Sequence, residues 1–182
     1  MFTEPVRKTA NGSRAMTQEE IDCFLQTICY GTMSYTTSDG WPDSRVLNFT
    51  YRDNAFYFHA NKARGEKLQH WCDDMRVCIS FFSPSPSVGK LRLCQHESLL
   101  VYGRLHRIDD PEDWKSCPSE AYHALESLSF SGGTPHKALP ERLPKFCGGC
   151  SVYRVDPEYI AGKLTIFTSL PEDSYLETII KR

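Results

Sequence analysis

No stretch of eighteen apolar residues occurs anywhere in the 182-residue chain, which excludes a helical membrane span. The amino terminus, MFTEPVRKTANGSR, lacks the apolar segment a secretory signal needs, and the expectation is a cytoplasmic protein. There is no GxGxxG fingerprint, Walker loop, Ser-His-Asp arrangement or matched pair of carboxylates. Dinucleotide-fold binding, nucleoside triphosphate chemistry and hydrolysis therefore have no motif to rest on. An excess of positive charge is missing too: 21 Lys and Arg stand against 23 Asp and Glu, for a net charge of −2, so there is no electrostatic footprint for nucleic acid. No repeat or change of composition divides the chain. The expectation is one domain over 1–182, with a polar arm over 1–16.

What is present suits a globular fold, with 40% hydrophobic and 24% charged residues. Eight cysteines are too many to ignore, but they are scattered over a full-sized domain. Cys23, Cys29, Cys72, Cys78 and Cys94 stand among apolar neighbours, where a reduced thiol behaves as a small hydrophobe. The CGGC at Cys147 to Cys150 is a redox-pair or half-zinc spacing. A thioredoxin-type pair opens a helix after a strand, whereas this one precedes the strand-like SVYRV. No second CxxC and no paired histidines complete a zinc set, so no metal is expected.

Thr17-Gln-Glu-Glu20 has the form of a capping box, and Ile21, Phe24, Leu25 and Ile28 recur at helical spacing, predicting a helix to about Cys29. Alternating, β-rich runs follow at 31–37, 44–51, 55–60 and 76–82, with a turn at Arg52-Asp53-Asn54. A short crossing helix is expected over 64–72. Ser98 to Ile108 predicts a long strand with a bulge or close backbone approach at Gly103. A helical segment over 111–128 interrupted by Pro118, a mobile excursion over 131–145, and a strand over 151–155 ended by Pro157 complete the pattern. Strands outnumber helices, as in a small barrel with helices packed outside.

Chemistry concentrates at FYFHANKARGEK. The run predicts a strand with Tyr57 and His59 on one face. Lys62, Arg64 and Lys67 then surround Gly65 at the mouth of a helix, an arrangement suited to an anion such as phosphate. Arg45 and Asn48, one hairpin earlier, can lie beside the same strand. His59 can donate a proton or a hydrogen bond near physiological pH, or it can simply pack or order the turn.

The series GTMSYTT, GWPDSRVLNFTY, FYFHANKARGEKL, MRVCISF, ESLLVYGRL and EYIAGK, running from Glu20 to Lys163, resembles the pyridoxamine 5'-phosphate oxidase-like FMN-binding split-barrel superfamily, in its nitroimidazole-reductase-like branch. The resemblance implies a mainly β fold, a six-stranded antiparallel split barrel with short helices outside. It implies a homodimer with FMN in clefts between the subunits. The cofactor contacts it implies are Arg45, Val46, Leu47 and Asn48 on one strand, Phe58 and His59 on the next, Lys67 at the phosphate, Ser98 on a later strand, and Lys163 late in the chain. Glu66 stands where the oxidase has arginine, so Arg64 is the candidate to supply that charge. The oxidase's carboxy-terminal substrate segment has no counterpart, which argues against vitamin B6 oxidation. The implied reaction passes electrons from a reduced nicotinamide or other donor through FMN to a small acceptor such as a nitroaromatic, with His59 as the candidate catalytic residue. The same barrel in related families holds haem or a deazaflavin, or binds flavin without turnover.

Overall fold

The computed structural model describes residues 13–62, 70–84, 96–109, 120–131 and 149–165. The polar arm ends in a short strand, β1 (Ser13–Ala15), which pairs with the last strand, and leads into α1 (Gln18–Leu25). The capping box forms as expected: the Thr17 hydroxyl accepts from the Glu20 amide, and the Glu20 carboxylate accepts from the Thr17 amide. Arg14 also grips Glu20, and these hydrogen bonds hold the Glu20 carboxyl down at about 2. The helix stops at Leu25, one turn short of the expected Cys29. The Gln26 amide turns back to Cys23 and the Thr27 hydroxyl to the Phe24 carbonyl, tightening the last turn.

Six long strands carry the fold: β2 (Tyr30–Thr36), β3 (Pro42–Asn48), β5 (Ala55–Asn61), β6 (Met75–Pro84), β7 (His96–Arg107) and β8 (Cys150–Thr165). A three-residue strand, β4 (Thr50–Arg52), forms a hairpin with β5. The turn between them holds Asp53 and Asn54 at φ of 50° and 61°, the left-handed conformation that a two-residue hairpin requires and Asp and Asn tolerate. All described pairings are antiparallel, in the order β3-β2-β6-β7-β8-β5-β4, with β1 beside β8.

That order explains the barrel. Strands β3 and β4 lie at opposite ends of the sheet, yet only Phe49 separates them in sequence. The sheet must curl until its ends meet at Phe49. The single strand expected over 44–51 is thus two, and β3 and β5 approach across the seam without forming a ladder. This is the split barrel. Its interior is filled by Met33, Phe49, Phe56, Phe58, Ile79, Phe81, Leu99 and Val101, all buried, with Ile21, Phe24 and Leu25 of α1 packed in.

Strand β8 runs straight through Pro157, where the sequence predicts its end. The register shifts between Tyr102 and Gly103, so that Tyr102 faces Tyr159 while Gly103 faces Pro157. At such a bulge the ladder is already interrupted, and a residue with no amide proton is tolerated. Gly103 is the close approach: a Cβ there would stand 2.3 Å from the Asp156 carbonyl oxygen. Gly103→Ala is expected to lower stability by about 1–3 kcal/mol, since the obstacle is backbone. An unchanged urea midpoint would contradict it.

A second helix, α2 (Glu120–Ser131), lays Ala121, Ala124, Leu125 and Leu128 on Ala55, Tyr57 and Val152. It covers the outer wall of the barrel over β4, β5 and the first half of β8. Of the expected crossing helix over 64–72 only 70–72 are described, and they are not helical; the start of the helix from Pro111 and nearly all of the excursion over 131–145 lie outside the described residues. Cysteine placement departs from the sequence reading. Cys23 and Cys72 are exposed and Cys29 and Cys78 half-buried, because Cys23 points away from the Ile21, Phe24 and Leu25 side of α1 and Cys72 follows the buried Trp71.

Candidate functional site

Strand register decides which expected residues meet. In β2, Gly31, Met33 and Tyr35 point into the barrel and Tyr30, Thr32 and Ser34 point out. The cross-strand pairs carry this parity around the sheet: Tyr30 faces Asn48, Thr32 faces Val46 and Ser80, Ser80 faces Leu100, Phe82 faces Ser98, and Ser98 faces Lys163. Partners in a ladder share a face. Val46, Asn48, Ser98 and Lys163 therefore stand on one outward surface, with Tyr30, Phe82 and Leu100 among them. No described element covers that surface over β3, β2, β6 and β7.

Arg45 and Leu47 alternate onto the inward side of β3, the edge strand at the seam, where Leu47 packs against the core. The Arg45 guanidinium is held by Asp43, while its Nε is buried without an acceptor. Asp43 also accepts from the buried Tyr35 phenol at 2.6 Å. That hydrogen bond, more than the neighbouring Arg45 charge, holds the Asp43 carboxyl below its ordinary range.

On β5 the two expected contacts separate. Phe58 is fully buried, stacked on Tyr153 at 5.1 Å and edge-on to Phe49 and Trp71; only its backbone is left to touch a ligand. His59 points to the opposite face, half-buried, and burial lowers its pKa, so the imidazole is neutral at pH 7. The sequence puts Tyr57 and His59 on one face of this strand. At Tyr57 it is closed by α2: the phenol is buried and donates to Glu120 at 2.8 Å. Burial, then the Glu120 carboxylate, raises its pKa.

The basic turn is described only at its flanks, and Arg64 and Lys67 lie outside the described residues. On one side Lys62 is not available for phosphate. Its ammonium lies 3.2 Å from the buried carboxylate of Asp109, which Arg107 also holds at 2.8 Å. Burial alone would raise the Asp109 pKa, but the hydrogen bonds from Arg107 and Lys62 outweigh it and leave the group ionised. On the other side Trp71 is buried against Tyr35, Phe58 and Tyr153 at ring separations of 5.9, 5.5 and 5.2 Å. The described residues on either side of the basic segment are thus fixed to the barrel, Lys62 at Asp109 and Trp71 against Tyr35 of β2. Of the CGGC pair, Cys147 lies outside the described residues, and Cys150 is a buried thiol whose pKa is raised by burial. Among the described residues no group of three or more His, Cys, Asp and Glu side chains could hold a metal.

Sequence reasoning missed Asp43, Tyr35 and Trp71. The first two carry a signal in hindsight, an aspartate two residues before an arginine and a tyrosine at the matching place on the preceding strand. Trp71 had only its apolar character.

Solved structures share this architecture. A candidate 5-nitroimidazole antibiotic resistance protein from Bacteroides thetaiotaomicron is 21% identical, with a TM-score of 0.58 over 84% of this chain and 87% of that one. A FAD-binding protein from Mesorhizobium loti is 17% identical, with a TM-score of 0.55 over 84% and 98%. A FAD- and haem-binding protein from Mycobacterium smegmatis is 16% identical, with a TM-score of 0.60 over 94% and 81%. At these identities the likeness establishes the fold. No curated protein matches the sequence. The family model for pyridoxamine 5'-phosphate oxidase matches residues 17–163, from the cap of α1 to Lys163 on β8, and the chain belongs to that family.

Proposed function

We propose that this protein binds FMN in a cleft between two copies of itself and works as an oxidoreductase, taking electrons from a reduced nicotinamide or similar donor and passing them to a small acceptor such as a nitroaromatic. The observation that carries the reading is the uncovered outer surface of the barrel. There Val46, Asn48, Ser98 and Lys163, placed by cross-strand register, surround the exposed side chains of Tyr30, Phe82 and Leu100. A flavin ring is flat and apolar on its faces and polar at its edges, and such a surface suits it once a second subunit closes the other side. Arg45 stands on the inward side of β3, at the seam edge and not on this surface; its buried Nε lacks an acceptor, which a ligand group reaching that edge would satisfy. Similar proteins named for FAD binding, and one named for nitroimidazole resistance, support the cofactor and acceptor classes.

A bound flavin supplies the redox chemistry; the chain's residues hold it, exclude water and set its hydrogen bonds. Arg64 and Lys67 serve the phosphate, and Asn48, Ser98 and Lys163 offer polar contacts. His59, neutral at pH 7, is the candidate catalytic residue through its ring N–H, which can donate a hydrogen bond to the flavin or its substrate. The absorption spectrum of the purified protein, before and after adding FMN, tests the assignment. Yellow flavin absorbance is expected, and Lys67→Ala should weaken FMN binding about 10- to 100-fold, the loss of a charge-assisted contact. A protein that stays colourless and gives no heat on titration with FMN overturns the proposal, and a Soret band in its place points to haem.

A further inference from the structure

We propose that Asp43 is a positioning residue for the cofactor site: anchored by the Tyr35 phenol, its carboxylate fixes the Arg45 guanidinium so that the Nε edge faces a ligand acceptor. The inference rests on the FMN reading and adds to it a residue with no counterpart among the implied contacts.

The geometry is a chain from the core to the edge strand. Trp71 packs edge-on against Tyr35, with the planes at 83°, and both rings are buried. Tyr35 faces Asp43 across the β2–β3 ladder, and Met33 faces Arg45. The Tyr35 hydroxyl donates to Asp43 Oδ2 at 2.6 Å. The other oxygen, Oδ1, accepts from the Ser44 amide at 2.7 Å and from Arg45 Nη1 at 2.5 Å. Nη1 donates again to the Ser44 carbonyl at 3.0 Å.

One corner of the guanidinium is therefore tied to the protein by two hydrogen bonds, while Nε is buried with no acceptor. A guanidinium presents its donors in a rigid plane. Fixing one corner orients the rest. Without Asp43 the side chain of an edge-strand arginine, one-third exposed, would turn out to water. The same chain of contacts joins Arg45, through Asp43 and Tyr35, to the buried Trp71.

Asp43→Asn separates this role from simple electrostatics. Removing a negative charge beside an anionic cofactor should tighten binding by Coulomb's law. Loss of positioning should weaken it, and a rise in the FMN Kd of about tenfold is expected, the size of one charge-assisted hydrogen bond. In an Arg45→Met background the same change should alter Kd by less than about twofold, because the two residues act as a unit. A merely structural role would weaken both backgrounds alike. Equal or tighter FMN binding by Asp43→Asn, or equal loss in both backgrounds, overturns the inference. If the wild type binds no FMN the functional reading fails, and the pair is then judged in the flavin-free protein. There the Arg45 Nε–H resonance should move in Asp43→Asn and in Tyr35→Phe but not in an Asp39→Asn control. A resonance that stays in place in both variants overturns the positioning role by itself.

Discussion

Leu100→Lys is expected to convert the proposed dimer to a monomer and to abolish flavin binding while leaving the barrel folded. Leu100 stands at the centre of the outward surface, facing Ser80 on one side and Ala161 on the other. Its large apolar neighbours there are strongly exposed, Val46 at 73%, Tyr30 at 63% and Phe82 at 62%. Single exposed hydrophobic residues are ordinary, but several on one uncovered sheet face mark an interaction surface. The strands that form this face are held by ladders on both sides and by the buried core beneath. A polar residue at Leu100, itself 39% exposed, should therefore cost the monomer only about 0.5 kcal/mol. In the dimer the same lysine would be a buried charge without a partner, which costs several kcal/mol. Sedimentation and flavin absorbance, with near-ultraviolet circular dichroism as the check on folding, give the result. A variant that stays dimeric and yellow would remove this surface from the interface.

The fold was legible wherever a local signal had a local cause. The capping box at Thr17 and Glu20, the turn at Asp53 and Asn54 and the close approach at Gly103 each follow from the chemistry of one or two residues, and each forms. The seam was not legible. Asn48-Phe49-Thr50 continues the alternation of a strand, and only closure of the sheet assigns its two halves to opposite edges. The proline rule misled at Pro157 because the bulge beside Gly103 removes the bond that proline cannot make.

The site divides in the same way. The strand bearing Arg45 to Asn48 could be named from sequence, but which of its residues face outward with Ser98 and Lys163 depends on register, which no single strand contains. Lys62 looks like a phosphate ligand until the fold brings Asp109 to it. Tyr57 looks available until α2 arrives with Glu120. In both cases a partner distant in sequence takes up the polar group.

Phe49→Ala is expected to cost about 3–5 kcal/mol, the range for truncating a fully buried aromatic. Phe49 is the seam itself. Its amide donates to the Cys29 carbonyl at 2.8 Å, and its ring meets Phe58 at 5.3 Å and Phe81 at 5.4 Å, both edge-to-face. Phe81 in turn stacks on Phe56, so the ring joins strands from both halves of the sheet. Truncation opens a cavity where the sheet ends are tied by side-chain packing instead of a ladder. Phe49→Leu retains much of the volume and should cost less, about 1–2 kcal/mol. Urea unfolding followed by tryptophan emission separates the two, since Trp71 packs on Phe58 and reports the same cluster. The seam also sets the spacing between Arg45 on β3 and His59 on β5, so at a urea concentration where Phe49→Ala is still folded, its FMN affinity should fall below that of Phe49→Leu. Equal midpoints for the two variants would mean that the barrel is closed by its backbone ladders alone and that Phe49 merely fills space.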